Sequence, residues 1–178
     1  LLGLPVILVP IQLLLINLVT DSLPAIALGM EPEDDSAMER PPRRAEESIF
    51  SGGLVAKILV RGATIAACTL LAFTSAYSGG NLSAARTAAL AALGISQLVF
   101  VFECKDERRS IFTAKYANNP FLIFAALTSL AVILAAVNFP VIASVFGTAA
   151  LGAAEALTVA ALVAVPAVFS GVVRLLTR

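Results

Sequence analysis

Apolar stretches of about 20 residues recur along the chain and are separated by short polar segments. They cover residues 6–30, 54–77, 83–102, 120–138 and 151–176. A helix of about 20 residues crosses the roughly 30 Å of hydrocarbon in a bilayer, so each stretch is long enough to span one. Ala and Leu, which favour helices, dominate every stretch. The pattern predicts an all-α, polytopic transmembrane helical bundle of about five spans, in a single transmembrane region over residues 1–178.

The polar segments predict where the chain leaves the membrane. Residues 31–53 and 103–119 are rich in charge and are expected to form two long loops, whereas residues 78–81 have the composition of a tight turn. Phe139 and Pro140 end the fourth stretch, and a short apolar connector follows over residues 141–150. Pro166 lies inside the fifth stretch, where it predicts a helix kink.

Composition supports a membrane protein and narrows the classes of metal ion and partner to be considered. Hydrophobic residues make up 59% of the 178 positions and charged residues 13%, against about 25% charge in ordinary soluble domains. Histidine is absent, and Cys68 and Cys104 do not have metal-ligand spacing, which disfavours zinc and copper. Basic residues are mixed with acidic ones rather than arranged in a stripe, which excludes nucleic acid as a partner. Membrane lipid is the expected surrounding. Hard cations, which bind oxygen ligands, remain candidate ions.

Lysine and arginine are distributed unevenly between the two ends of the predicted spans. Of the 12 basic residues, only Arg86 lies on the side opposite the long loops. Because basic loops are retained in the cytoplasm, this bias predicts that loops 31–53 and 103–119 are cytoplasmic. The basic residues on the loop side are Arg40, Arg43, Arg44, Lys57, Arg61, Lys105, Arg108, Arg109, Lys115, Arg174 and Arg178.

The first stretch carries three polar residues with helical spacing. Asn17, Thr20 and Asp21 lie at positions i, i+3 and i+4, on one face of a helix about midway through the span. A carboxylate at this depth costs on the order of 3 kcal/mol to insert and usually serves an ion or proton pathway. Pro24 lacks an amide proton, so the carbonyl of Thr20 is expected to be free to face an ion. The cluster predicts part of a cation site; interhelical hydrogen bonding by Asn17 and Thr20 is the open alternative.

Polar residues at depth are fewer in the other stretches. Gln97, in the third stretch, is a second candidate ligand through its amide oxygen, and an interhelical hydrogen bond is an equal alternative. Glu103 is expected in a solvated cluster at headgroup depth, and Glu155 at the water interface. The fourth stretch has no ionisable residue and is expected to be scaffold. No residue is a candidate for catalysis.

A longer motif surrounds the polar cluster. The run over residues 17–32 reads N-L-V-T-D-S-L-P-A-I-A-L-G-M-E-P, and residues 38–43 read M-E-R-P-P-R. These segments closely resemble the sixth membrane helix and the following loop of the calcium-transporting P-type ATPases, whose pattern is N-L-V-T-D-G-L-P-A and then M-x-R-P-P-R. The later stretches are similar to that family in order and spacing. The resemblance therefore covers the whole chain, as the sixth to tenth membrane helices of such a pump.

The resemblance implies ATP-driven transport of calcium, with manganese as a second candidate ion, through an aspartyl-phosphate intermediate. It places Asn17, Thr20, Asp21 and Gln97 at metal-ligand positions. Nothing in the 178 residues matches the phosphorylation motif D-K-T-G-T, so this segment alone is not expected to hydrolyse ATP. Calcium is then the transported ion, whereas Mg2+ and ATP are expected only in cytoplasmic domains outside the chain. Those domains and the remaining pump helices are the expected partners.

Two positions depart from the family pattern. Ser22 stands where the family usually has Gly, and is expected to stiffen the turn. Gln97 aligns with an eighth-helix position that is Glu in pumps of the sarcoplasmic reticulum type. In this respect the sequence is more similar to the secretory-pathway and bacterial types, which carry one calcium per cycle. The Ala-rich composition and short loops favour a multi-pass protein of a bacterial plasma membrane.

A second hypothesis is a non-transporting membrane anchor or degenerate remnant of such a pump, which would bind a partner through residues 31–48. The segment from Leu1 to Pro5 has neither an initiator Met nor a basic region, which predicts an internal fragment of a longer protein. An upstream D-K-T-G-T in the same reading frame would favour the pump, and a start codon near Leu1 the remnant. A secondary cation exchanger would need inverted repeats, which the five stretches lack.

Overall fold

The computed structural model describes residues 5–32, 50, 53–78, 80–105 and 118–176. All regular structure in these residues is helical, which confirms the predicted all-α class. Four helical segments, Pro10–Gly29, α3, α4 and α5, are long and apolar enough to cross a membrane, and Ala153–Phe169 within α7 is a shorter apolar helix. The elements are α1 (Pro10–Ile16), a π-helical turn (Asn17–Ser22), α2 (Leu23–Gly29), α3 (Leu54–Tyr77), α4 (Leu82–Lys105), α5 (Pro120–Asn138), α6 (Pro140–Phe146) and α7 (Ala153–Leu176).

Prolines and asparagines set several of the helix boundaries. Pro10, Pro120 and Pro140 each begin a helix, where the missing amide proton removes no hydrogen bond. Asn81 precedes α4, and its Oδ1 accepts hydrogen bonds from two backbone amides of the first turn, both at 3.1 Å. Most of the predicted loops 31–53 and 103–119, including the M-E-R-P-P-R motif, lies outside the described residues.

The structure adds one short helix and one helical extension to the sequence-based expectation. The connector over residues 141–150 contains the short helix α6, which ends at Gly147 with a left-handed φ of 62°. Helix α7 continues through Pro166 as a single helical element. Helix α4 continues to Lys105, three residues past the end predicted for the third stretch. The hydrophobic pattern therefore predicted the long helices but neither α6 nor the extension of α4.

The expectation that Glu103 is solvated is wrong. Because α4 continues past this residue, its carboxylate remains on a helical face and is only 3% exposed. Nη2 of Arg61, on α3, lies 3.0 Å from Glu103 Oε2, and the same guanidinium lies 5.0 Å from the centre of the Phe100 ring. The two charges therefore form a buried ion pair that joins α3 to α4.

Helix α4 is the centre of the bundle. It contacts α3, α5, α7 and all three parts of the first span. Its buried residues include many alanines, whose small side chains let neighbouring helices approach closely. One core forms where α4 meets α3 and α7, and includes Phe73 and Val163. A second core forms where α4 meets the first span and α5, and includes Ile16 and Ile133. Through this second core α4 and α5 hold the first span, which carries the candidate site.

The tightest glycine contact lies between α4 and α5. A Cβ added at Gly94 would lie 2.9 Å from Cδ1 of Ile133, a side chain that is 1% exposed and has little room to move. We expect Gly94→Val to destabilise the membrane region by about 2 kcal/mol, because overpacking a core typically costs 1–3 kcal/mol. Gly62→Val in α3 is the matched control, since no described atom beyond the neighbouring residues and backbone of its own helix lies within 4 Å of a Cβ there. Thermal unfolding in detergent measures both variants; equal melting temperatures would contradict the prediction.

Candidate cation site

The first span changes its helical register in the middle. Helix α1 ends at Ile16, the π-helical turn covers Asn17–Ser22, and α2 resumes at Leu23. In an α-helix a carbonyl accepts from the amide four residues later, and in a π-helix from the amide five residues later. Pro24 lies four residues after Thr20 and five after Val19, and it has no amide proton. This proline therefore cannot supply the α-type partner of Thr20 or the π-type partner of Val19.

The hydroxyl of Thr20 is the point where the polar groups of the site meet. This side chain is 2% exposed. Its Oγ1 lies 2.8 Å from the carbonyl oxygen of Ile16, 2.9 Å from Oε1 of Gln97 and 3.4 Å from Oδ1 of Asp21. A hydroxyl has a single proton, so it can donate fully to only one of these three acceptors. The remaining lone pairs concentrate negative charge at one point, which is an environment that attracts a cation.

Three of the four residues predicted to bind metal are brought together. Thr20, Asp21 and Gln97 meet although Gln97 is 77 positions from Thr20 in the sequence. Asn17 begins the π-helical turn and is exposed, and within the part of the chain that the structure describes no hydrogen bond joins its side chain to the other three. Asp21 is also exposed, while Gln97 is half-buried. Asn17 and Asp21 thus lie on a face that the other described helices leave open.

The donor set at this point consists of oxygen atoms. Among the described residues there is no group of three or more His, Cys, Asp or Glu side chains able to hold a metal ion. Asp21 brings a carboxylate, Thr20 a hydroxyl, Gln97 an amide oxygen and Ile16 a backbone carbonyl. Calcium takes 6 to 8 such oxygens, whereas transition metals favour nitrogen and sulfur. The chemistry of the set therefore suits a hard cation, although its oxygens are fewer than a full calcium shell needs.

The sequence did not reveal that α5 donates a hydrogen bond to the π-helical turn. Ser129 is 0% exposed, and its Oγ donates a hydrogen bond to the carbonyl oxygen of Val19 at 2.6 Å. The only signal in the sequence is a small polar residue within an otherwise apolar stretch, which does not show which neighbour it meets. The fourth stretch, expected to be scaffold alone, thus contacts the π-helical turn directly.

Both ends of the first span are held by side-chain hydrogen bonds. At its beginning, the fully buried Gln12 donates from Nε2 to the carbonyl of Phe146 at 3.2 Å. At its other end, Asn119 donates from Nδ2 to the carbonyl of Ala27 and to Oε2 of Glu31, both at 2.8 Å. Lys105 pairs with the other carboxylate oxygen of Glu31. The ends of α2 and α4 and the start of α5 are therefore joined on the side of the predicted cytoplasmic loops.

A helical bundle with one broken apolar segment, and oxygen-bearing side chains gathered at the break, is an arrangement found among membrane proteins that bind and move cations. The chain belongs to the family described as "Cation transporting ATPase, C-terminus", whose model matches residues 5–176. This match confirms the resemblance to P-type cation pumps drawn from the motif around Asp21.

Individual relatives agree with the family. The chain is 40% identical over 168 residues to the calcium-transporting ATPase of Bacillus subtilis, covering 93% of this chain and 19% of that protein. It is 35% identical over 159 residues to calcium-transporting ATPase 1 of Bacillus cereus, covering 80% and 18%. It is 32% identical over 148 residues to human calcium-transporting ATPase type 2C member 2, covering 82% and 16%. The chain thus spans about a fifth of the length of these curated relatives.

Proposed function

We propose that this chain forms the carboxy-terminal membrane region of a P-type ATPase that transports calcium, and that Asn17, Thr20, Asp21 and Gln97 supply part of its ion site. The observation that carries the proposal is the meeting of carboxylate, amide and carbonyl oxygens around the hydroxyl of Thr20, at a proline-dependent break in a membrane span. The relatives named calcium-transporting ATPase support calcium as the ion.

The open face of the first span indicates where the rest of the site lies. Asn17 and Asp21 point away from the described helices, whereas Thr20 and Gln97 face the bundle. Calcium needs 6 to 8 oxygen ligands, more than this set supplies, so other helices of the pump complete the shell from the open side. Energy from ATP would act by moving those helices against Asp21, since alternating access requires the ligand distances to change during the cycle.

The charge of the four proposed ligands affects which ion is bound and how many ions are carried per cycle. Asp21 is the one carboxylate among the four proposed ligands, because Gln97 contributes a neutral amide oxygen. A site with few carboxylates suits one divalent ion per cycle rather than two. Manganese also accepts oxygen ligands and is the second candidate, while calcium tolerates the irregular geometry of a mixed side-chain and backbone shell.

The charged residues support the proposed orientation and location. Lys57, Arg61 and Lys105 lie near the ends of α3 and α4 that adjoin the predicted cytoplasmic loops. Arg86 lies near the opposite end, where its Nε donates to the carbonyl of Val6 at 3.0 Å. This distribution agrees with a multi-pass protein whose loops 31–53 and 103–119 are cytoplasmic. The Bacillus relatives favour a bacterial plasma membrane as its location. Lipid and the other pump helices would cover exposed apolar residues such as Leu18, which is 63% exposed.

ATP-driven calcium uptake tests the proposed function. The full-length protein that contains this chain is placed in inside-out vesicles, and uptake of radioactive calcium is followed with Mg2+ held constant. We expect uptake that requires ATP, saturates with calcium and is reduced by competing manganese. The alternative, a membrane anchor or pump remnant, predicts no ATP-dependent uptake and no D-K-T-G-T motif in the reading frame. Absence of uptake in a protein that has the motif would also contradict calcium transport.

A further inference from the structure

The contact between α5 and the π-helical turn points to a role that the fourth stretch was not expected to have. We propose that Ser129 is a positioning residue of the ion site, which fixes the broken part of the first span so that Thr20 and Asp21 keep their geometry. The inference rests on the proposed function, because it concerns ion binding at that same site. It assigns Ser129 no direct contact with the ion.

The first step is that Val19 has a carbonyl in need of a donor. In the π-helical register this carbonyl would accept from the amide of residue 24, and Pro24 has none. Val19 is buried, so water does not readily take the place of the missing amide. The hydroxyl of Ser129 supplies the hydrogen bond instead, at 2.6 Å. A residue 110 positions away thus completes the hydrogen bonding of the break.

The second step is that the Ser129 hydroxyl donates to another helix, whereas many other hydroxyls in the bundle donate within their own helix. A serine or threonine within a helix often donates to the carbonyl four residues earlier in its own helix. Ser129 instead crosses from α5 to the first span. The hydroxyls that donate within their own helix in this way include those of Thr64, Thr69, Thr87 and Thr158.

The third step concerns the peptide that the hydrogen bond holds. The carbonyl of Val19 belongs to the peptide unit that leads into Thr20, and a peptide unit is planar. Fixing that carbonyl toward α5 therefore fixes the amide of Thr20 and limits rotation of the backbone on which the Thr20 hydroxyl is mounted. It also withdraws one backbone oxygen from the ion. The carbonyl of Val19 is therefore not part of the proposed ligand set.

A second contact shows that α5 holds the span on both sides of Pro24. Asn119, at the start of α5, donates to the carbonyl of Ala27, and Ser129 donates to the carbonyl of Val19. Between these two contacts lies the segment where proline interrupts the hydrogen-bond ladder. Helix α5 is itself packed tightly on α4 where Ile133 meets Gly94. The break is therefore anchored to the same two helices that supply or support Gln97.

The test compares Ser129→Ala with the wild type in the full-length protein in lipid, with Mg2+ held constant. The readouts are the calcium concentration for half-maximal ATPase stimulation, the maximal rate and the melting temperature. We expect Ser129→Ala to raise the half-maximal concentration about tenfold, an effect of the size that a lost buried hydrogen bond produces. Ser144→Ala is the matched control, because that exposed hydroxyl donates to Val141 within α6, and it should leave calcium dependence unchanged.

Each outcome decides the proposal. A lower melting temperature or yield with an unchanged half-maximal calcium concentration would mean that Ser129 only stabilises the fold, and would overturn the inference. If Ser129→Ala yields no protein, Ser129→Cys keeps the size with a weaker donor, and an unchanged calcium concentration in that variant overturns the inference equally. A wild-type protein without calcium stimulation overturns the proposed function, and the inference with it; a stimulated wild type beside an unaltered variant overturns the inference alone.

Discussion

Replacing Asp21 by Asn is expected to abolish calcium-stimulated ATP hydrolysis at calcium concentrations that saturate the wild type. Asp21 is the one carboxylate among the proposed ligands, and its Oδ1 lies 3.4 Å from the hydroxyl of Thr20. Asn has the same shape but no charge, so the change removes attraction for a divalent cation while keeping the packing. Loss of a group outside the ligand shell already costs about 10–100-fold in metal affinity. We therefore expect at least about a 100-fold increase in the half-maximal calcium concentration.

The measurement is calcium-dependent ATPase activity of the full-length protein in lipid, with Mg2+ constant. Glu155→Gln is the matched control, because that carboxylate accepts from the amide of Gly152 at the start of α7 and lies away from the site. It should change the half-maximal concentration less than about twofold. The exposed Asp21 leaves no buried partner without a hydrogen bond when it is replaced, so the variant should fold. A stimulated rate that Asp21→Asn leaves unchanged would remove Asp21 from the ion site.

Replacing Arg61 by Met is expected to destabilise the membrane region, although Arg61 lies outside the two cores and the ion site. The side chains of Arg61 and Glu103 are 17% and 3% exposed, and their charged atoms lie 3.0 Å apart. Removing one partner of a buried ion pair takes away compensation of the other charge, a loss that typically costs about 3–5 kcal/mol. Because the arginine is partly exposed, we expect about 3 kcal/mol. For a region of this size that lowers the melting temperature by roughly 6–12 °C.

A double variant distinguishes the ion pair from simple loss of packing. Replacing a buried pair by apolar residues of similar volume is often neutral, because the desolvation cost of both charges is removed. Arg61→Met combined with Glu103→Leu should therefore regain most of the stability that Arg61→Met alone loses. Thermal unfolding in detergent compares the wild type, both single variants and the double variant. Additive losses in the double variant would show that the two charges do not stabilise each other.

The sequence by itself determined the features that depend on residues close to one another along the chain. The length and apolar character of each stretch predict a span because a helix rises by a fixed amount per residue. The spacing of Asn17, Thr20 and Asp21 predicts a polar cluster in the middle of the first span, and Pro24 interrupts the hydrogen-bond ladder wherever the chain is helical. The motif around Asp21 was long enough to indicate the family, which the match over residues 5–176 confirms. The assignment of these residues as ion ligands stays a prediction.

Only the tertiary structure decided which distant groups meet. Hydropathy shows that a residue lies within a span, but the rotation and relative height of two helices depend on how all their side chains pack. The meeting of Gln97 with Thr20 and of Ser129 with Val19 follows from that packing, as does the burial of Glu103 beside Arg61. The hydrogen bonding of the π-helical turn also depends on the tertiary structure. Pro24 removes a backbone donor locally, whereas the hydroxyl of Ser129 on α5 supplies a donor to the carbonyl of Val19.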